Sequence, residues 1–538
     1  MPFRVLVTDE IDPQGVELLR AEPRIMVDER PTLPPAKVLE IIPEYDAIIG
    51  RSATRISAEL LAAGKNLKVV GRAGVGVDNI ALDAATALGI AVINAPAGNT
   101  VAVAELFFGA VIAFLRKLGE ADRSMREGRW DRSSLLGGEL KGRVLGIVGL
   151  GRIGGEIALR AHAFGVDVIA YDPYIQPSRF EAFRARRLDE LDDLIEHCDI
   201  LTVHTPLTDE TTSLIGAREL RRLRHGAVVV NMARGGIVDE AALYAELQSG
   251  HVAGAVIDAF SKEPLAADHP LRRLPNVFLT PHIGASTAEA QRNVAVDVCI
   301  AVRDALISGE LSRSLNVPGG DSAEWNEIQS ALTLARRAAV VGRTILASRG
   351  TRAVSSIELT CGSALFRFRQ PLAASAAVGA LQHVVDAQRI NLINSASVAA
   401  ARGVQLFSAD TAAAEDPWQV DVKISGATDS VCISGVARPQ AGARLTRIEQ
   451  YKVDVQPRDT LIVLTNRDVP GVIGHVGTVL GEAGVNIAEY HQSRLAQGGD
   501  ALAAIAVDGR IDDTVRGRLL AIPEVRSVAV ASFDDAAP

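Results

Sequence analysis

The sequence predicts an α/β protein: two doubly wound parallel-sheet units in succession, followed by two smaller α+β units. Three observations carry this expectation. Short β-rich runs alternate with helical stretches from the N-terminus onward. The alternation restarts at Val144, where a strand runs straight into a glycine-rich turn. The texture then changes twice, at the turn-rich VPGGDS after Asn316 and at QPRD, residues 456–459.

In the first series, residues 4–8, 47–50, 69–71 and 92–94 read as strands, with helices over 13–21 and 57–63. A βαβ rhythm implies a parallel sheet covered on both faces, because each crossover packs back on the strands it joins. The apolar run 101–115 contains Glu105 and is too short to span a bilayer, so it reads as a buried helix. In the second series, strand 144–148 leads into a helix reaching about residue 164. Strands follow at 168–171, 200–204, 228–231, 254–258 and 277–280. From Trp325 to Gln456 the chain is rich in Ala and Val and offers no motif with chemistry of its own. In the last unit, strand 461–465 leads through DVPG to a helix over 472–483, with Gly484 as its C-cap, and then to strand 485–491.

Composition fits this division. At roughly 150 residues per domain, 538 residues make three or four domains. Such a chain buries several cores without disulfides. A formal charge of -9 disfavours a broad nucleic-acid surface. The four cysteines lie far apart with no CxxC pair or Cys/His cluster, so no metal site is expected and a reducing cytoplasm is the expected location. The N-terminus enters a strand directly, without a signal-peptide core, and no membrane span is expected.

Gly149, Gly151 and Gly154 form G-x-G-x-x-G between a strand, VLGIV, and a helix. Glycine allows the tight turn, the approach of backbone to a pyrophosphate and close helix–strand packing. The helix N-terminus adds free N–H groups. Asp172 ends the next strand, where an acid accepts hydrogen bonds from ribose hydroxyls and repels a 2′-phosphate. The expected cofactor is therefore NAD. Hydride transfer to a 2-keto acid further needs a cation for the carboxylate and carbonyl, and an acid/base for the alkoxide. Candidates sit just after strands: Arg234 in NMARGG, Glu263 in DAFSKEP and His282 in TPHIGAST. Guanidinium offers a fixed fork, and imidazole titrates near neutrality. Spacing alone does not show that these groups meet; singly, each also reads as a surface or turn residue.

VGLGRIG, HTPLTDET, NMARGGIVDEAAL, AVIDAFSKEPL and TPHIGASTAEA, in this order, resemble the signature set of the D-2-hydroxyacid dehydrogenases. The resemblance implies that Arg234 binds and polarises substrate, His282 is the acid/base and Glu263 pairs with it. It also implies NAD contacts from Arg152, Ile153, Asp172, Thr205, Pro206, Met232, Ala233, Asp258 and the loop His282, Ile283, Gly284, Ala285. RSAT, GRAGVGVDN, the NAP segment and ELKGRVLGIVGLGRIG resemble the phosphoglycerate dehydrogenase branch of that family. That branch implies 3-phosphoglycerate as substrate, with Arg51, Ser52, Arg72 and Asn99 holding phosphate and carboxylate, and Gly74 and Gly76 allowing close backbone approach. Trp130 and Arg132 match positions that reach a neighbouring subunit's site, in a homodimer or homotetramer.

DVPGVIGHVGTVLGEAGVNIAEYHQ resembles an ACT regulatory domain, and INLINSASVAAARGV the intervening domain of long family members. The domains expected on this basis are a substrate-binding unit, 1–98 plus 290–316; an NAD-binding Rossmann unit, 99–289; an intervening regulatory unit, 320–456; and an ACT unit, 459–538. Asp468 and Asn486 match serine-contacting positions, which implies a serine effector; Asn466 stands where relatives often carry Tyr or His. Two other readings stay open at this point: a dehydrogenase for glyoxylate, D-lactate or 2-hydroxyglutarate, and a non-catalytic NAD-sensing corepressor on the same scaffold.

Overall fold

The computed structural model describes every residue except 1, 32, 312, 318–321, 383–389, 411–415, 440–441 and 534–538. The break expected at VPGGDS falls largely on 318–321, outside the described residues. Among the described residues, four sheets follow one another along the chain.

The first sheet is built from β1 (Phe3–Val7), β2 (Ile25–Glu29), β3 (Ala47–Gly50), β4 (Val69–Arg72) and β5 (Ala91–Asn94). Its order is β2-β1-β3-β4-β5, all parallel. Crossovers are α1 (Pro13–Arg20), α2 (Pro35–Ile41), α3 (Ala58–Ala63) and α4 (Leu82–Ala87). β3 and β5 are buried at every position, as central strands covered on both faces require. Three elements, β2, α2 and α4, were not expected. β2 is a half-exposed edge strand, and α2 buries only Val38, so neither carries a clear apolar period.

The second sheet follows α5 (Thr100–Leu115) and α6 (Leu118–Arg126). Its strands are β6 (Val144–Val148), β7 (Asp167–Tyr171), β8 (Arg186–Arg187), β9 (Ile200–Val203), β10 (Ala227–Asn231), β11 (Val252–Ile257) and β12 (Val277–Leu279). The helices between them are α7 (Arg152–Ala161), α8 (Pro177–Ala182), α9 (Leu191–His197), α10 (Ala217–Arg222) and α11 (Glu240–Ser249). The order β12-β11-β10-β9-β6-β7-β8 reverses direction between β6 and β9, so a crevice opens outside their carboxyl ends. α12 (Ala288–Ser308) then returns to the first sheet: Val294, Val298, Cys299 and Val302 pack into one core with Val5, Ile49 and Ile93. Gly15 lets α1 lie directly on α12, since a Cβ there would stand 2.6 Å from the Ala295 carbonyl.

α13 (Ser322–Ser348) leads into a mixed sheet of β13 (Ser356–Cys361), β14 (Gln405–Asp410), β15 (Gln419–Ser425), β16 (Ser430–Arg438), β17 (Gly442–Ile448) and β18 (Tyr451–Val455), with α14 (Arg369–Leu381) and α15 (Ser395–Ala401). Among the described residues of this sheet only β13 and β14 pair in parallel. The terminal unit runs β19 (Thr460–Arg467), α16 (Val472–Glu482), β20 (Ile487–Arg494), β21 (Asp500–Val507), α17 (Asp513–Leu520) and β22 (Val525–Ser532). Its antiparallel order, β20-β21-β19-β22, is a βαββαβ sandwich of one sheet and two helices.

Candidate active site

The glycine turn lies at the reversal point of the second sheet. Gly149 adopts φ +92, and a Cβ there would stand 2.8 Å from the His204 carbonyl oxygen. A Cβ at Gly154 would overlap the Gly149 carbonyl, so this glycine serves helix–strand packing. Gly151 faces open space, caps α7 without any side-chain hydrogen bond, and leaves Arg152 exposed beside it. The first N–H groups of α7 are thus available to an anion. Asp172 Oδ2 accepts from Leu150 N at 2.9 Å and Oδ1 from Tyr174 N at 3.0 Å, which docks the acid at the rim of the turn. Each oxygen keeps a lone pair for a ribose hydroxyl. Thr205 Oγ1 is buried without a partner, and its methyl group lies against Gly149. A buried hydroxyl with nothing to bond calls for a polar atom from outside the chain. These residues fit a dinucleotide.

The catalytic candidates stand at the same carboxyl edge, on loops after three adjacent strands. After β10, Asn231 is buried and shapes the arginine loop: its Nδ2 donates to Arg234 O at 2.9 Å, and its Oδ1 accepts from Ala233 N at 3.1 Å. Met232 is buried beneath this loop. After β11, Asp258 is 1% exposed, and its oxygens hold the next loop through Thr280 Oγ1 (2.6 Å), Ile283 N (2.8 Å) and Gly284 N (2.9 Å). After β12, His282 sits at φ +55 with Nδ1 2.9 Å from both oxygens of Glu263. Glu263 Oε1 also accepts from Phe260 N at 3.0 Å. With Nδ1 held by the carboxylate, Nε2 is left for substrate. Gly284 brings this loop against Val103 of α5, and Ala285 O accepts from Gln291 Nε2 at 2.6 Å.

The first sheet faces these loops with positive charge. Arg234 donates through Nε to Asp78 Oδ2 at 2.9 Å and through Nη1 to Ala233 O at 2.7 Å. Gly76 makes room for it: a Cβ there would stand 2.8 Å from Arg234 Cζ. Arg72 is pushed down to about 10, by burial first and then by repulsion from Arg234 and Arg51. Its Nε is buried without a partner, and its guanidinium fills the space a side chain at Gly74, φ +151, would need. Arg51 follows Gly50 on a loop that Asp9 pins, accepting from Arg51 N and from Thr54 Oγ1. Ser52 is exposed on that loop. Asn99 Oδ1 and Thr100 Oγ1, at the N-terminus of α5, are both buried without partners. Arg51 and Arg234 both lie within electrostatic reach of Arg72, whose Nε is itself unsatisfied, an arrangement that suits a multiply charged anion.

The NAD-binding domain model of the D-isomer specific 2-hydroxyacid dehydrogenases matches residues 108–284. A D-3-phosphoglycerate dehydrogenase of Synechocystis sp. is 36% identical over 524 residues, covering 97% of this chain and 93% of that protein. The chain belongs to the D-isomer specific 2-hydroxyacid dehydrogenase family. NAD is its cofactor. A D-3-phosphoglycerate dehydrogenase of Mycobacterium tuberculosis is 37% identical over 543 residues, covering 98% of this chain and 99% of that one. Among solved structures, a protein of Thermus thermophilus superposes with a TM-score of 0.54 at 35% identity, covering 58% of this chain and all of that one. The family fold accounts for the two parallel sheets on which the candidate residues meet.

Other expected positions lie elsewhere. Trp130, 78% exposed, and Arg132 line an open groove with Arg116 and Glu139, and none of the three clustered arginines lines it. In the terminal unit, Asp468 accepts from Gly498 N and Arg494 Nη1, which hold its carboxyl below the usual range. Asn486 donates to Asp508 at 2.6 Å, and Asn466 is buried with Nδ2 on Arg467 O. Both expected effector contacts are therefore engaged within the chain. Sequence reading missed Asp9, Asp78, Asn231 and Thr100. The signal for Asn231 was present, an Asn closing an apolar strand just before the arginine loop; Asp9 and Asp78 declare themselves only through contacts far along the chain, and Thr100 only through its burial.

Proposed function

We propose that this enzyme oxidises 3-phospho-D-glycerate with NAD to 3-phosphooxypyruvate, the entry to the phosphorylated route to serine. The observation that carries this reading is the half-buried Arg72 within electrostatic reach of Arg234 and Arg51, more positive charge than a single carboxylate requires. Arg234 forks onto the carboxylate and the C2 oxygen, while Arg51 and Arg72, with Ser52 and Asn99, take the phosphate. His282 Nε2 accepts the hydroxyl proton as the alcohol is oxidised, and Glu263 fixes the ring and balances the imidazolium. NAD, held by the glycine turn and Asp172, supplies the hydride acceptor. Asp258 acts by fixing the His282 loop.

Within this reading, residues 1–98 with 290–316 bind substrate, 99–289 bind NAD, and 320–456 and 459–538 form the intervening and ACT units. Trp130 and Arg132 belong to a contact with a second copy in a cytoplasmic homodimer or homotetramer. In the ACT unit, serine would be met by Asp468 Oδ1 and Asn486 Oδ1, since Asp468 Oδ2 already serves Arg494 and Gly498 and Asn486 Nδ2 serves Asp508. The decisive assay is NADH formation with 3-phosphoglycerate against D-glycerate, for the wild type and for Arg51→Ala/Arg72→Ala. The phosphorylated substrate should lead in the wild type and lose its lead in the double variant. Equal efficiency on both substrates in the wild type would refute a phosphate site.

A further inference from the structure

Glu240 opens α11, the helix that follows the Arg234 loop. An acid in the first turn favours a helix wherever it points, yet this one does not point to solvent. Its side chain is 18% exposed and both oxygens are committed to distant groups. Oε1 accepts from Ser261 N at 2.6 Å and from Ser261 Oγ at 2.7 Å. Oε2 lies 3.2 Å from His269 Nε2, and that histidine is itself only 24% exposed.

Ser261 belongs to the turn that carries Glu263, where Phe260 N donates to Glu263 Oε1 at 3.0 Å and the same carboxylate holds His282 Nδ1. This turn also presses on the arginine loop: any Cβ at Gly235 would overlap the Phe260 carbonyl and Ser261 N. The loop that bears Arg234 and the turn that orients His282 are therefore in backbone contact, and Glu240 bonds one to the other. We propose that Glu240 is a positioning residue for the reaction: it clamps the Glu263 turn to the Arg234 element, with His269 bracing the clamp, and so sets His282 relative to Arg234. The two loops come from different strands, and the proton acceptor and the carboxylate fork act on neighbouring substrate atoms. A shift of about 1 Å between such groups costs on the order of 100-fold in rate.

This inference rests on the reaction proposed above. The test compares Glu240→Ala and Glu240→Gln with the wild type in NADH formation, on 3-phosphoglycerate, on its C2-deuterated form and on D-glycerate, with NADH binding followed by fluorescence. Glu240→Ala should lower kcat about tenfold or more. KM and NADH affinity should stay within about twofold, and the deuterium effect on kcat should grow as hydride transfer becomes slower. Glu240→Gln keeps an acceptor for Ser261 and should recover most of the rate. Should Glu240→Ala fail to fold, Ser261→Ala carries the same pattern at about fivefold, the loss of one hydrogen bond. Unchanged kcat and isotope effect in Glu240→Ala overturn the proposal. So does a parallel loss of kcat, NADH affinity and melting temperature in both Glu240 variants. A wild type that ignores the phosphate fails the substrate assignment alone, and the D-glycerate series still decides the role of Glu240.

Discussion

Gly76→Ala separates the chemistry of the site from its folding. A Cβ at Gly76 would stand 2.8 Å from Arg234 Cζ, closer still to Nη2, and 2.8 Å from Asp78 Oδ2. Carbon contacts settle at roughly 3.5–4.0 Å, so the guanidinium must retreat by roughly 1.5–2 Å at Nη2, its nearest atom. Both obstructing groups are ends of flexible side chains, so the backbone need not move. The stability cost should stay within about 0.5 kcal/mol, and the melting temperature should hardly change. The catalytic cost is larger, because the fork that meets the carboxylate is misplaced. We expect kcat/KM for 3-phosphoglycerate to fall on the order of 100-fold, about 2.7 kcal/mol of transition-state binding. The assay is steady-state NADH formation beside a thermal melt, for the wild type, Gly76→Ala, Arg234→Ala and the double variant. If the loss runs through Arg234, Gly76→Ala adds little once that side chain is gone. Full activity in Gly76→Ala, or an additive loss in the double variant, refutes the assignment of Arg234 to substrate.

Asp172→Asn removes the charge at the ribose while keeping a hydrogen-bonding side chain beside Leu150 N. The ratio of NADP to NAD efficiency should rise about tenfold, read from kcat/KM for each coenzyme, and an unchanged ratio would show that Asp172 does not select the cofactor. His204, at the end of β9, is pushed down to about 3 by burial; the residue is half-buried overall, but its Nδ1 is enclosed without a partner. The folded ring stays neutral while the unfolded chain takes up a proton below about 6.5, so stability falls as pH drops from 6.5 towards 3, by at most about 1.4 kcal/mol per unit. His204→Asn should flatten the acid side of a melting-temperature profile, and an identical acid slope in both proteins would show that His204 is protonated in the fold.

What was legible from the chain and what was not divide along one physical line. Buried parallel strands such as Ala47–Gly50 and Val144–Val148 are continuous apolar runs, so local composition identifies them. The glycine turn is legible by its spacing between an apolar strand and a helix, and Gly154 answers to the carbonyl of Gly149 close by, although the carbonyl that Gly149 makes room for belongs to distant His204. Ile25–Glu29 escapes because an edge strand keeps one side wet and shows no run. β15 does bury alternate residues, Val420, Val422 and Ile424, but the partners that would make it a strand lie in a pairing order no local window contains. The site divides likewise. Few side chains can take a hydroxyl proton or fork a carboxylate, so Arg234 and His282 stand out by type. Their supports need only be acceptors at the right place, and place is set across the fold: Asp78 meets Arg234 156 residues away, and Glu240 meets Ser261 across a strand and two loops. An acid on a loop is chemically anonymous until the tertiary structure gives it a donor. The groups that aim a catalyst are therefore harder to read from a chain than the catalyst itself, and in this enzyme they hold the arginine and histidine loops in one frame.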